Sequence, residues 1–372
     1  MFMFRSRKTA LVKRAWKSRK VGLGDASHQE TSQQEAAAQQ LKVAAFHLLR
    51  RLTEPQLELL VAALDSGGGD PGECVLVPRE VGVECVGGRS LPPHLLMVWV
   101  WRWPDLLSAS QYSATPLQRL PSCAARNDHV YVCANPYHWA RLLQTESPPP
   151  PYSRFSSDLL RPEDDAPSED GDSILESQET GGTNQFATYA SHGTGSVPWC
   201  QVAYWEGRER VGRLYPVCSS SLNIMGDTPH GDGLSLASLA AHSPTSPSDQ
   251  VKRTREKIGL GLVLYQDGDR VWVYNRAEVP LFVTSPTLDG GLHVRSHFIV
   301  HKLPPGHIIT IFDYKKARLY QKRPIHPDLL HEGPIDQNAV RVSFAKGWGP
   351  NYHRQEITEC PCWLEILLVP AR

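Results

Sequence analysis

No stretch of the 372-residue chain approaches the roughly 18 to 20 consecutive apolar residues needed to span a bilayer, and the longest candidate, His94 to Trp101, is far shorter. A membrane-spanning protein is excluded on that reading. An excess of one charge is missing as well: 39 Lys and Arg face 39 Asp and Glu, so no overall basic field holds nucleic acid or an anionic membrane, and any such surface must be local. The eight cysteines are too sparse for a disulfide scaffold and contain no Cys-x-x-Cys knuckle. The basic start lacks an apolar h-region, because Lys13, Arg14, Lys17, Arg19 and Lys20 interrupt it, which argues against a signal peptide and for an intracellular protein. No Gly-x-Ser-x-Gly or Cys/His signature for a nucleophile is visible, and no enzyme is indicated.

What remains has the length of about two domains. Residues 1–32 are a basic tail: the first 20 carry eight Lys or Arg and no acid, with Leu11, Val12, Ala15 and Trp16 at near-helical spacing. Such a segment suits nuclear import or contact with nucleic acid or a membrane surface, or is merely solvated. Residues 33–145 read as an α+β domain. Leu41, Ala45, Leu48, Leu49 and Leu52 make one helical stripe, and Glu54-Pro55 opens a second helix with Leu57, Leu60, Val61 and Leu64. After the glycine-rich stop at Ser66 to Gly72, strands are expected at Val75 to Val77, Val81 to Val86 and Leu95 to Trp101.

Residues 146–196 differ in kind. Four prolines follow Ser147, and Ser156 to Thr180 holds nine acids against one Arg, a composition too poor in large apolar groups to offset ordering entropy. A flexible acidic linker is expected. Residues 197–372 alternate short apolar runs with turns, from Val202 to Trp205 through Val211 to Tyr215, Ile258 to Leu264, Val271 to Tyr274, Leu281 to Thr284, His297 to His301, Ile308 to Ile311, Val340 to Phe344 and Trp363 to Val369. That spacing predicts a β-sandwich with a helix at Ser248 to Lys257, and leaves Leu234 to Pro247 as a loop.

Three motifs carry chemistry. Cys133-Ala-Asn-Pro-Tyr-His138 places a thiol and an imidazole five residues apart across a proline-directed turn, with Cys74 and Cys123 upstream; three Cys and one His suffice for tetrahedral zinc, although free Cys is often a small buried hydrophobe. Pro149-Pro150-Pro151-Tyr152 is a P-P-x-Y motif, whose prolines preset the extended helix that an aromatic groove binds; a stiff spacer is the plain alternative. Ser147 before Pro148 is a candidate phosphorylation site whose charge would tune that contact. Lys346, Trp348 and Arg354 cluster about a glycine-rich loop, and Arg253 and Lys257 lie four apart on one helical face; these read as a basic surface with an apolar anchor, with an ordinary solvated face as the plain alternative. Two features are decoys. Gly259-Leu-Gly261 lacks the third glycine and the helix of a dinucleotide loop, and a strand and Gln266-Asp-Gly-Asp269 turn follow it, so a β-hairpin is expected. Cys360 and Cys362 read as buried, inert thiols.

Trp101-Arg-Trp-Pro-Asp105, the Cys133 to His138 block, Val202-Ala-Tyr-Trp-Glu206, Arg210 to Tyr215, Val271 to Asn275, Ser343 to Pro350 and Pro361-Cys-Trp-Leu-Glu365 together resemble the Smad signal transducers. The resemblance implies two Mad-homology domains, a zinc-containing α+β domain and a β-sandwich with helices, joined by a flexible linker. It implies one structural zinc held by Cys74, Cys123, Cys133 and His138. The start Phe4 to Arg14, Ser147 to Arg154, Glu179 to Asn184 and Cys360 to Trp363 resemble the inhibitory members, closest to the branch with bone-morphogenetic-protein preference. The ending at Leu367 to Arg372 has no Ser or Thr for a receptor kinase to phosphorylate.

From the same resemblance follow the partners: activated type I receptor kinases met by Arg253, Lys257, Lys346, Trp348 and Arg354, other Smads, HECT-type ubiquitin ligases whose WW domains take Pro149, Pro150, Pro151 and Tyr152, and transcription factor complexes, in nucleus and cytoplasm. In the DNA-reading hairpin, Glu84 and Val86 fall about where an Arg and a Gln are expected, so base readout should be lost. The function implied is inhibition of transforming growth factor-β superfamily signalling; the alternative is a zinc-containing DNA-binding transcription regulator. Asn223 to Ala241 departs from the family pattern.

Overall fold

Eight basic residues would keep an isolated N-terminal segment in water, yet the chain gives Arg7 and Arg14 acidic partners. The computed structural model describes residues 7–21, 32–80, 83–85, 89–107, 116–143, 197–227, 233–241, 243, 246–288, 299–321 and 336–370. Within it, α1 (Arg7–Lys17) buries Val12 and Ala15. Trp101 Nε1 donates to the Ala15 carbonyl at 2.6 Å, and Arg7 and Arg14 reach Glu58 and Asp65 at 2.5 and 2.6 Å. Part of the expected tail is therefore a docked helix, because its apolar stripe had a hydrophobic surface to cover.

That surface is built by α2 (Ser32–Arg51), α3 (Glu54–Asp65) and, beyond β1 (Leu76–Pro78), β2 (Val83–Cys85) and β3 (Arg89–Leu91), by α4 (Pro93–Trp101). A capping box starts α3: Thr53 accepts from the Gln56 N–H while Gln56 Oε1 accepts from the Thr53 N–H at 2.9 Å. The expected strand at Leu95 to Trp101 is this last helix. Its residues are apolar all round because it is buried on several sides, which erases any helical period, and the prolines at its start point to a helix N-terminus. Leu48, Leu49, Leu57, Leu60, Leu96, Met97 and Trp101 form the core it completes. The strands β4 (Leu117–Arg119), β5 (Tyr131–Cys133) and β6 (Trp139–Leu142) follow, with β5 antiparallel to β1.

The C-terminal part comprises β7 (Cys200–Glu206), β8 (Glu209–Val217), β9 (Ser221–Met225), β10 (Leu234–Ser235), α5 (Leu236–Ala240), α6 (Asp249–Ile258), β11 (Leu262–Asp267), β12 (Arg270–Asn275), β13 (Leu281–Thr284), β14 (His301–Leu303), β15 (His307–Asp313), α7 (Tyr314–Gln321), β16 (Ala339–Phe344) and β17 (Trp363–Leu368). One sheet runs β14-β13-β16-β17-β7-β8 and faces another ordered β10-β9-β11-β12-β15-β6-β4. Leu264, Val273, Ile311, Phe312, Val342, Phe344, Leu364 and Ile366 fill the space between them. The apolar run from Ile258 is split: Ile258 ends α6, and Gly261 precedes β11 with its Cα so close to the Ile224 carbonyl that a Cβ would sit 2.0 Å from it. The hairpin expected at Gln266 to Asp269 is the β11–β12 turn. The supposed loop at Leu234 to Pro247 contains β10 and α5, whose Ser235 cap accepts from the Ser238 N–H at 3.2 Å. The strand expected at His297 to His301 begins at His301; residues 289–298 lie outside the described set.

The second sheet is shared. Its strand β15 pairs in parallel with β6, His307 opposite Arg141 and Ile308 opposite Leu142, so the N-terminal part extends the sandwich by two strands. Leu120 and Ala140 pack there against Val263, Tyr265, Trp272, Tyr274 and Ile308. Arg126 and Asp267 form an ion pair across this seam, and Arg276 donates to the Gly68 and Gly69 carbonyls at 2.8 and 2.7 Å. No helix among the described residues is long and apolar enough to cross a membrane.

Candidate metal centre

A turn, a short helical turn and a strand end converge on one point. Cys74 follows the glycine-rich turn after α3, Cys123 precedes a single 3₁₀ turn, Cys133 closes β5 and His138 ends the 3₁₀ turn Pro136–His138. Their ligand atoms all lie within 4.8 Å of one another. The Cys74 and Cys123 sulfurs are 3.7 Å apart, and His138 Nδ1 is 3.4 Å from both the Cys74 and the Cys133 sulfur. A tetrahedron with zinc–sulfur bonds of about 2.3 Å has sulfur–sulfur edges of about 3.8 Å, so the donor set fits a zinc ion. Four protein donors would leave that ion no open position, which suits a structural role.

The surroundings orient the donors. His138 Nε2 lies 3.1 Å from the Gly72 carbonyl, which can only accept; Nε2 therefore carries a proton, and Nδ1 is aimed at the sulfurs. Asn135 is fully buried and ties the loops together: its Nδ2 donates to the Pro71 and Glu73 carbonyls at 2.6 and 3.1 Å, and its Oδ1 accepts from the Tyr137 N–H at 3.0 Å. Sequence reasoning did not single out Asn135, although Asn before Pro inside the Cys133 to His138 block is the signature of a cap. Gly68 is needed where it stands, since at φ +87° a Cβ would fall 2.4 Å from the Tyr137 ring.

The four donors are also coupled electrostatically. Hydrogen bonds from Cys123 and Cys133 drive the Cys74 thiol far below its ordinary value, while the same competition with Cys123 and Cys74 pushes Cys133 far up. Burial alone would depress His138, but Cys123 and Cys74 lift it to about 10.

The remaining predicted residues are placed as follows. Arg253 and Lys257 are exposed on the same side of α6. Lys346 and Arg354 are half-buried, and Trp348 is 7% exposed, packed against Phe282, Ile357, Cys360 and Trp363. Trp348 is therefore a pillar of the loop and not an anchor presented to a partner. Ahead of it Ala345 has φ 61°, and the Lys346 N–H donates to the Phe344 carbonyl at 2.7 Å, a tight turn that L residues seldom adopt. Loop and helix rest on one short segment: the Cys360 thiol contacts the Lys346 carbonyl at 3.6 Å and the Cys362 thiol the Val251 carbonyl at 3.8 Å. Burial pushes the Cys362 thiol up to about 12, so it is not poised as a nucleophile. Glu84 pairs with Ser90 in the β2–β3 ladder; Val86 lies outside the described residues, as do Ser147, Pro149, Pro150, Pro151 and Tyr152.

Comparison with known proteins matches the MH1 domain family over residues 41–143 and the MH2 domain family over residues 197–369. The chain is 46% identical over 341 residues to Mothers against decapentaplegic homolog 6 of Gallus gallus, covering 88% of this chain and 75% of that protein. It is 40% identical over 347 residues to Mothers against decapentaplegic homolog 7 of Homo sapiens, covering 88% of this chain and 78% of that protein. The chain belongs to the Smad family, among its inhibitory members. Its relatives are signalling and regulatory adaptors of the transforming growth factor-β and bone morphogenetic protein pathways.

Proposed function

We propose that this chain inhibits bone morphogenetic protein signalling by competition: its MH2 sandwich occupies activated type I receptor kinases or other Smads, while the P-P-x-Y segment recruits a HECT-type ubiquitin ligase through a WW domain. The MH1 part, 33–145, carries one structural zinc on Cys74, Cys123, Cys133 and His138; residues 146–196 are the linker and 197–372 the sandwich domain, in a protein that works in both cytoplasm and nucleus. The observation that carries this reading is the kinship with inhibitory Smads over most of the chain, with the exposed Arg253 and Lys257 of its MH2 part in support. Phosphorylated receptor segments call for guanidinium and ammonium donors, and Arg253 and Lys257 on α6 with Lys346 and Arg354 on the loop supply them.

Reversing Lys346 and Arg354 to Glu is expected to abolish co-precipitation with activated type I receptors and inhibition of a receptor-driven reporter. Because those two are half-buried, Arg253→Glu with Lys257→Glu serves as the exposed counterpart, expected to give the same loss at an unchanged melting temperature. Full inhibition by both double variants would overturn the receptor assignment. For the ligase, Tyr152→Ala in a linker peptide is expected to weaken WW-domain binding at least about tenfold, roughly 1.4 kcal/mol, because the ring fills one of the two groove pockets. Calorimetry showing equal affinity would leave the prolines as a spacer.

A further inference from the structure

Beside the metal-bearing turn, the seam between the MH1 and MH2 parts is not filled. A cavity of about 210 Å³ opens there, lined by Lys20, Gly68, Arg102, Trp103, Tyr137, Tyr274, Arg276 and Glu278 among others. Its charge is unbalanced. Arg102 donates to the Pro136 and Trp139 carbonyls and to the Tyr274 hydroxyl, and its guanidinium lies 4.2 Å from the Trp103 ring centroid. Arg276 donates to the Gly68 and Gly69 carbonyls and to Asn223 Oδ1. Every one of these acceptors is neutral, and both guanidiniums are half-buried. At the rim Lys20 is held by its N–H bond to the Val100 carbonyl. The lining thus carries three cationic residues, Arg102, Arg276 and Lys20, against a single acidic one, the exposed Glu278.

Charges taken partly out of water are normally matched by an opposite charge, whereas carbonyls only solvate them. Planar guanidinium forks beside a point ammonium suit phosphate oxygens, and the rings of Trp103, Tyr137 and Tyr274 give such a ligand's carbon skeleton an apolar wall. We propose that this cavity binds a small soluble organic phosphate, and that the ligand, held by Arg102 and Lys20 from one side and Arg276 from the other, fastens the MH1 part to the MH2 part. None of these residues belongs to the receptor or ligase assignments, so the site stands or falls apart from them.

The test uses the full-length zinc-loaded chain with inositol trisphosphate and inorganic phosphate as probes, followed by calorimetry and thermal melting. Inositol trisphosphate should bind one to one and raise the melting temperature by about 3 °C or more at saturation, beyond any change from sodium chloride at equal ionic strength. Inorganic phosphate should compete more weakly. Lys20→Gln, a rim change that should leave the unliganded melting temperature intact, is expected to weaken binding about tenfold, and Arg276→Gln at least as much. Binding only to vesicles bearing phosphorylated inositol lipids, a thermal effect no larger than that of sodium chloride, or binding unaltered in both variants would each overturn the proposal.

Discussion

Cys133→Ser is expected to empty the metal centre and cost the MH1 part much of its fold. Metal analysis of the wild-type chain should find one zinc per molecule, and that of the variant well below half. A structural zinc contributes on the order of 10 kcal/mol, comparable with the whole net stability of a domain, roughly 5 to 15 kcal/mol. The loss should be uneven. Leu48, Leu57, Leu60, Leu96 and Trp101 hold α1 to α4 together without help from the metal, whereas the stretches around Cys74, Cys123 and Cys133 reach that core only through Val75, Val77, Ala134 and Tyr137 and otherwise pack as a small cluster of their own sulfurs and Ala125. Hydrogen exchange should therefore rise first in residues 66–78 and 120–138, with the helices following only partly. The effect should also cross the seam. The Gly72 carbonyl that fixes His138 sits in the same turn as the Gly68 and Gly69 carbonyls that receive Arg276, so loosening the turn should weaken the Arg276 contacts across the seam. A variant that retains one zinc with unchanged exchange would contradict the assignment.

Much of this was legible in the residues, for reasons that differ from element to element. Strands such as β7, β12 and β17 announce themselves by dense β-branched and aromatic residues between turns, and α6 by a serine cap and a clean apolar stripe. The helix α4 was not legible as a helix, because a segment apolar all round and buried on several sides has no period. The docking of α1 was invisible for a different reason: its value depends on Glu58, Asp65 and Trp101, which are dozens of residues away. The shared sheet is the extreme case, since β6 and β15 are some 165 positions apart and pairing at that distance leaves no local trace. Among site residues, spacing nominated the four metal donors and the known family weighted them; Asn135 and the burial of Trp348 needed coordinates, as each is defined by what surrounds it.

Arg255→Met should loosen α6, which Val251, Thr254 and Ile258 still bury against the sandwich, without removing any exposed charge from it. Arg255 donates through Nε to Glu206 Oε1 at 2.6 Å, and the Tyr204 hydroxyl donates to the same oxygen at 2.7 Å; the two charged side chains are only 20% and 10% exposed. Removing the guanidinium leaves the Glu206 carboxylate in a dry setting with one phenol as partner, a loss of about 3 to 5 kcal/mol. Glu206→Gln should cost less, about 1 to 2 kcal/mol, because a neutral amide still accepts from Tyr204 and Arg255 retains some access to water. The double variant should be less destabilised than the sum, since neither orphaned charge remains. Urea unfolding of the four proteins measures the coupling, and simple additivity would mean that the pair is incidental. Arg253 and Lys257 depend on this anchor for their place, so Arg255→Met should also weaken capture of activated receptors, although Arg255 itself faces inward. Receptor capture that survives intact in a folded Arg255→Met chain would show that α6 is not part of the contact, and would leave the loop around Lys346 and Arg354 to carry it alone.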